Sequence, residues 1–193
     1  AQEIGICCFY ECTSLRNATI SSVITKIGPS AFSGCSSLTT IKLPSALESI
    51  ENYMFYECTS LAKIDIPETV KYIDVFSFRG CILLDNVVIP ENCKVIESNA
   101  FTDCSSLSSI KLPSGLKELT PGIFQSCEKL ASIEIPESVV NISIGAFSNC
   151  TSLKEIHIPA NVSKIGNYAF YMCNNLETIT VDKNNQNFVM SNG

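Results

Sequence analysis

The sequence predicts an α/β solenoid, one elongated array of about eight coils of 23 residues each. Three observations carry this prediction. Phe recurs as Phe9, Phe32, Phe55, Phe78, Phe101, Phe124, Phe147 and Phe170, with Cys three places later from Cys12 to Cys173 and Leu three places beyond that from Leu15 to Leu176. Within each unit the apolar step then changes from three to two. Pro recurs on the same period as Pro44, Pro67, Pro90, Pro113, Pro136 and Pro159. A fixed period of this length marks units that cannot bury their own apolar edge and are covered by their neighbours.

The unit that opens at Phe32 places apolar residues at Phe32, Cys35, Leu38, Ile41, Leu43, Leu47 and Ile50. The step of three from Phe to Cys to Leu predicts a short turn or helical turn. Ile41 and Leu43 alternate with Thr40 and Lys42, which is the period of a strand. Pro cannot donate to a ladder, so it closes each strand and keeps it short. Stacking identical strands at one period gives a parallel sheet, with neighbours ~4.8 Å apart. The expected result is a superhelical stack with short strands on one face and turns on the other.

All 193 residues read as a single array, with regular units over about 4–181. The first unit is the weakest, with Ala18 and Ser21 where other units carry Ile or Val and Pro. The pattern lapses at Asp182, and 182–193 reads as the start of a divergent unit in which Phe188 still keeps its place. Neither end has the polar outer face of a finished cap, so a segment of a longer chain is expected.

Hydrophobic residues make up 46% and charged ones 17%, a balance that excludes a disordered chain. The net charge is −6 and the basic residues are scattered, which gives no footprint for nucleic acid or anionic lipid. No apolar run reaches the roughly 18 residues of a membrane span, so no membrane insertion is expected here.

The units AFSGCSSLTTIKLPSALESI, AFTDCSSLSSIKLPSGLKEL and AFSNCTSLKEIHIPANVSKI resemble the BspA-like (Treponema pallidum type) class of leucine-rich repeat, over essentially residues 4–181. That resemblance implies a curved right-handed solenoid. It also implies a cell-surface or secreted protein whose partners are proteins of host or neighbouring cells, or of the extracellular matrix. The function it implies is non-catalytic adhesion or protein interaction. The alternative is structural, a repeat segment that associates end to end with copies of itself into filaments.

Departures from the repeat are where chemistry would sit, and few exist. Of the eleven Cys, eight occupy the packing register, and Cys93 replaces the Leu or Val of other units; these read as reduced, buried small hydrophobes. Cys7, Cys8 and Cys12 form a compact trio for which a disulfide or a metal stays open. Stacked cysteines 23 apart have the wrong spacing for zinc. His157 is the only His and falls at an exposed strand position, away from the core register of Cys150, so no Cys–His pair is expected. No catalytic residue, metal or cofactor is assigned. Asn17, Asn141, Asn149 and Asn161 stand in N-x-S/T acceptor sites for glycosylation.

The remaining candidate is the outward strand face. One column runs Lys42, Asp65, Val88, Lys111, Glu134 and His157, and beside it stand Thr40, Lys63, Asn86 and Glu155. Opposite charges in adjacent units, Lys42 with Asp65 and Lys111 with Glu134, are placed to neutralise one another. The face lacks aromatic residues, whereas Tyr10, Tyr53, Tyr56, Tyr168 and Tyr171 cluster around the Phe positions, on the turn side.

Overall fold

The structure, a computed structural model, describes residues 2–188. It is a parallel β-solenoid of about eight turns. Among the described residues there is no helix, so the α component and the predicted helical turns give way to tight reverse turns. Two residues in each unit explain why. Asn99 and Asp103, two places either side of Phe101, have φ of 59° and 61°, and the same two places carry positive φ around every Phe from Phe9 to Phe170. A left-handed residue every fourth position stops a right-handed helix from propagating.

What the turns gain is a ladder along the back of the coil. Asn99, Phe101 and Asp103 donate their N–H groups to the carbonyls of Pro121, Ile123 and Gln125 in the next unit, at 2.9, 3.1 and 2.8 Å. The intervening peptides close local turns, with Ala100 N–H donating to Glu97 and Thr102 N–H to Asn99, both at 3.3 Å. A helix would have spent those donors on itself. The turn exports every second one to its neighbour, which satisfies the buried backbone.

The predicted front strands form parallel pairs in which residues 23 apart are partners: Asn17–Thr19 with Thr40–Lys42, Asn86–Val88 with Ser109–Lys111, and Glu155–Ile158 with Thr178–Val181. Residues 63–66 join only through a bridge from Lys63 to Asn86, and 132–135 form no strand. Each Pro opens a turn, as where Pro113 accepts from Leu116 N–H at 3.2 Å. A second parallel ladder follows that turn. It contains Ser49–Ile50, Tyr72–Ile73 and Val95–Ile96, then Glu118–Leu119, Asn141–Ile142 and Lys164–Ile165. The sequence marks these positions only as core, because two-residue strands are too short to show alternation.

The core is a set of columns, each made of one repeat position. Phe101, Cys104, Leu107, Ile110, Leu112, Leu116 and Leu119 are all buried, as are their counterparts in the neighbouring units except Ile133, which is half-buried where the front ladder lapses. The Phe rings stack from Phe9 to Phe170 with centroids 5.1–6.0 Å apart. Burying one such ring contributes on the order of 2–3 kcal/mol, and stacking adds about 0.5–1.5 kcal/mol. Cys93 is buried among the same columns, and all eleven thiols are free.

Candidate interaction surface

The front ladder fixes which side chains face water. Alternation along each short strand sends Ile41, Val87, Ile110 and Ile156 into the core and their neighbours outward. Thr40, Lys42, Lys63, Asp65, Asn86, Lys111, Glu134, Glu155 and His157 are all exposed, in two columns running up the coil. Local bonds steady parts of this face: Thr40 Oγ1 donates to Asn17 Oδ1 at 2.6 Å, and Asn86 Nδ2 donates to Asp85 at 2.9 Å.

Charge pairing differs from the expectation. Neither Lys42 with Asp65 nor Lys111 with Glu134 forms an ion pair; Lys111 Nζ instead lies 3.8 Å from Glu91 Oε1. The reason is the break in the ladder at 63–66 and 132–135, which takes Asp65 and Glu134 out of regular strand pairing. Glu91 is anchored from the turn after its Pro, where its carboxylate accepts from Ser114 N–H and Oγ at 2.8 and 2.9 Å. Those two bonds hold the Glu91 carboxyl below its ordinary pKa, with Lys111 adding to the effect. At this break the face carries a recess of about 440 Å³ bordered by Glu91, Lys111, Glu134 and Glu137.

The other candidate chemistry is dispersed or buried. Cys150 is buried with its Sγ 3.1 Å from the Phe124 carbonyl, and burial pushes its thiol far above the ordinary value, so it is no nucleophile for the exposed His157. Cys7, Cys8 and Cys12 are exposed free thiols and do not converge as a set of metal ligands. His157 Nδ1 shares a 2.9 Å hydrogen bond with Thr180 Oγ1. Of the four acceptor asparagines, Asn17 and Asn161 are exposed. Asn141 is half-buried, and its Nδ2 donates to Glu118 and Ser143 at 2.7 and 3.0 Å. Asn149 sits in a left-handed turn position with φ 61°.

The BspA type leucine rich repeat region matches residues 1–85 and 73–191, in six copies. The chain belongs to this BspA-type family. No curated protein matches the sequence. A leucine-rich repeat protein from Bacteroides ovatus ATCC 8483 has a similar structure, with 31% identity and a TM-score of 0.84 over 95% of this chain. The match covers 53% of the Bacteroides protein, so this chain spans about half its length. The T. pallidum leucine rich repeat protein is 32% identical with a TM-score of 0.72, covering 90% of this chain and 71% of that one. The pneumococcal vaccine antigen PcpA shares the fold at 22% identity and a TM-score of 0.55.

On the turn side, this BspA-type array carries a cluster that sequence reasoning located only in part. Tyr53 stacks on Phe76 at 5.1 Å and contacts Tyr56 at 5.4 Å. The Arg79 guanidinium lies 5.8 Å from the Tyr56 ring and 5.5 Å from the Phe76 ring, while its Nε donates to Asp103 at 3.3 Å. Phe76 and Arg79 were legible in principle, because they occupy the repeat places of Tyr53 and Tyr56. Farther along, Tyr168 and Tyr171 meet edge to face at 5.6 Å and border a recess of about 580 Å³ floored by Gly122 and Gly145. Among the described residues no helix is long and apolar enough to cross a membrane.

Proposed function

We propose that this segment is a non-catalytic protein-interaction module of a cell-surface or secreted protein, engaging a protein of a host or neighbouring cell, or of the extracellular matrix. The observation that carries this reading is the pair of exposed columns on the strand face, repeated coil after coil at one spacing. Lys63, Asp65, Lys111 and Glu134 offer both charge signs without a buried reactive group among them. Such a polar face gives modest affinity per contact, and repetition along an array multiplies it.

Charge reversal tests it. Lys111→Glu and Glu134→Lys, at the recess, should each weaken binding to immobilised extracellular-matrix protein or to epithelial cells at least several-fold, with the melting temperature unchanged. Unchanged binding in both variants, with loss in Tyr53→Ala or Tyr168→Ala, would move the contact to the turn side and reject the strand face.

A further inference from the structure

His157 and Asp182 are two singular departures from the repeat, and the coil brings them together. His157 is the only His of the chain, on the front column. Asp182 stands where six other units place Pro, at the end of strand Thr178–Val181. Glu137, after Pro136 one coil earlier, completes the group. One ligand atom from each of the three lies within 4.8 Å of the others, and among the described residues no other trio of His, Cys, Asp and Glu does so.

The geometry has a precedent in the same molecule. Glu91 occupies the repeat place of Glu137, and its carboxylate reaches the column residue of the next coil, Lys111, at 3.8 Å. At Glu137 that column residue is an imidazole, and Asp182 closes on it from the coil beyond. None of the three forms an ion pair with another. Thr180 Oγ1 engages Nδ1 of His157, and Nε2 has no hydrogen-bond partner among the described residues. A hydroxyl that holds one ring nitrogen fixes the orientation of the other, as in the outer shells of metal-bound histidines.

We infer that Glu137, His157 and Asp182 form a binding site for a divalent cation of the zinc class. One imidazole and two carboxylates suit zinc or its first-row neighbours, whereas calcium takes oxygen ligands alone. Zinc holds such ligands at ~2.0–2.2 Å, which needs the three donors drawn together by about 1 Å; the exposed Glu137 and His157 have that freedom, while the half-buried Asp182 is anchored by Asn184 N–H, which donates to its Oδ1 at 2.7 Å. Three protein ligands at the surface leave at least one coordination position to water or to a partner's carboxylate. The site is independent of the adhesion reading, since it holds an ion whether or not a protein docks there.

The test uses untagged protein carrying Cys7→Ser, Cys8→Ser and Cys12→Ser, which removes the exposed thiols that would also take zinc. Titration with zinc against a chromophoric chelator should give one ion per chain. His157→Ala, Glu137→Gln and Asp182→Asn should each weaken it at least tenfold, with the circular dichroism spectrum unchanged, and calcium should not displace zinc. Absence of binding at millimolar zinc, or the parent affinity in His157→Ala, would overturn the site. Displacement by equimolar calcium would remove the imidazole from the ligand set and overturn it equally.

Discussion

The thiol of Cys104 donates to the carbonyl of Phe78, one coil back, at 3.2 Å. The same bond recurs from Cys35 to Phe9 through Cys173 to Phe147, at 3.1–3.3 Å. The Cys register therefore does two things at once. It fills a column of the core, and it gives a second donor to a carbonyl that already accepts the Cys N–H of its own turn, as Phe78 does from Cys81 at 3.1 Å.

Cys104→Ala should destabilise the array by about 1–3 kcal/mol, combining a small cavity with a lost hydrogen bond. Cys12→Ala, whose thiol is exposed, should fall within about 0.5 kcal/mol of the parent. Urea midpoints of the two variants measure the difference.

Alkylation separates the thiols by coil. Iodoacetamide should add three groups to the native protein, at Cys7, Cys8 and Cys12, and reach the other eight only after unfolding. Intact mass before and after urea reads the count, and rapid native labelling of Cys81 or Cys104 would contradict the packing.

Stability should fall at alkaline pH. Burial pushes the thiols of Cys35 and Cys93 up to about 11 from an ordinary 9.0. Above pH 9 the unfolded chain releases protons that the folded chain keeps, so the slope of stability with pH is negative. The contribution is complete below pH 9 and lost as pH rises toward 11. Urea midpoints across that range should drop, and Cys93→Val should make the drop shallower.

The stacked rings predict a gradient. Phe101 is buried between Phe78 and Phe124, whereas Phe9 is only partly buried and has one ring neighbour, Phe32. Phe101→Ala should cost about 3–5 kcal/mol and Phe9→Ala distinctly less. Equal shifts in urea midpoint would reject nearest-neighbour stacking as the source of stability.

Gly166 is required by close approach. A Cβ there would lie 2.5 Å from Ile144 N and 2.7 Å from Ser143 C, both backbone atoms of the preceding coil. Gly166→Ala should lose about 1–3 kcal/mol by differential scanning calorimetry. Gly115→Ala should be nearly neutral, because its nearest neighbour is the movable end of Lys94 at 3.1 Å.

Repeat spacing made the coil, its core columns and its outward face legible, because each apolar position recurs where the next copy must cover it. The turn was misread at Phe101. Its step of three to Cys104 fits a helix as well as a reverse turn, and the deciding feature is the left-handed backbone at Asn99 and Asp103, two residue types that also occur in helices. Spacing also paired Lys111 with Glu134, but the lapse of regular pairing at 132–135 leaves Lys111 beside Glu91.

The amino-acid order alone determined that this chain stacks, since units too small to enclose an apolar edge leave it only to their copies. Tertiary structure decided which exposed groups meet. Glu137, His157 and Asp182 stand 20 and 25 residues apart in the chain, and only the rise of the coil sets them side by side.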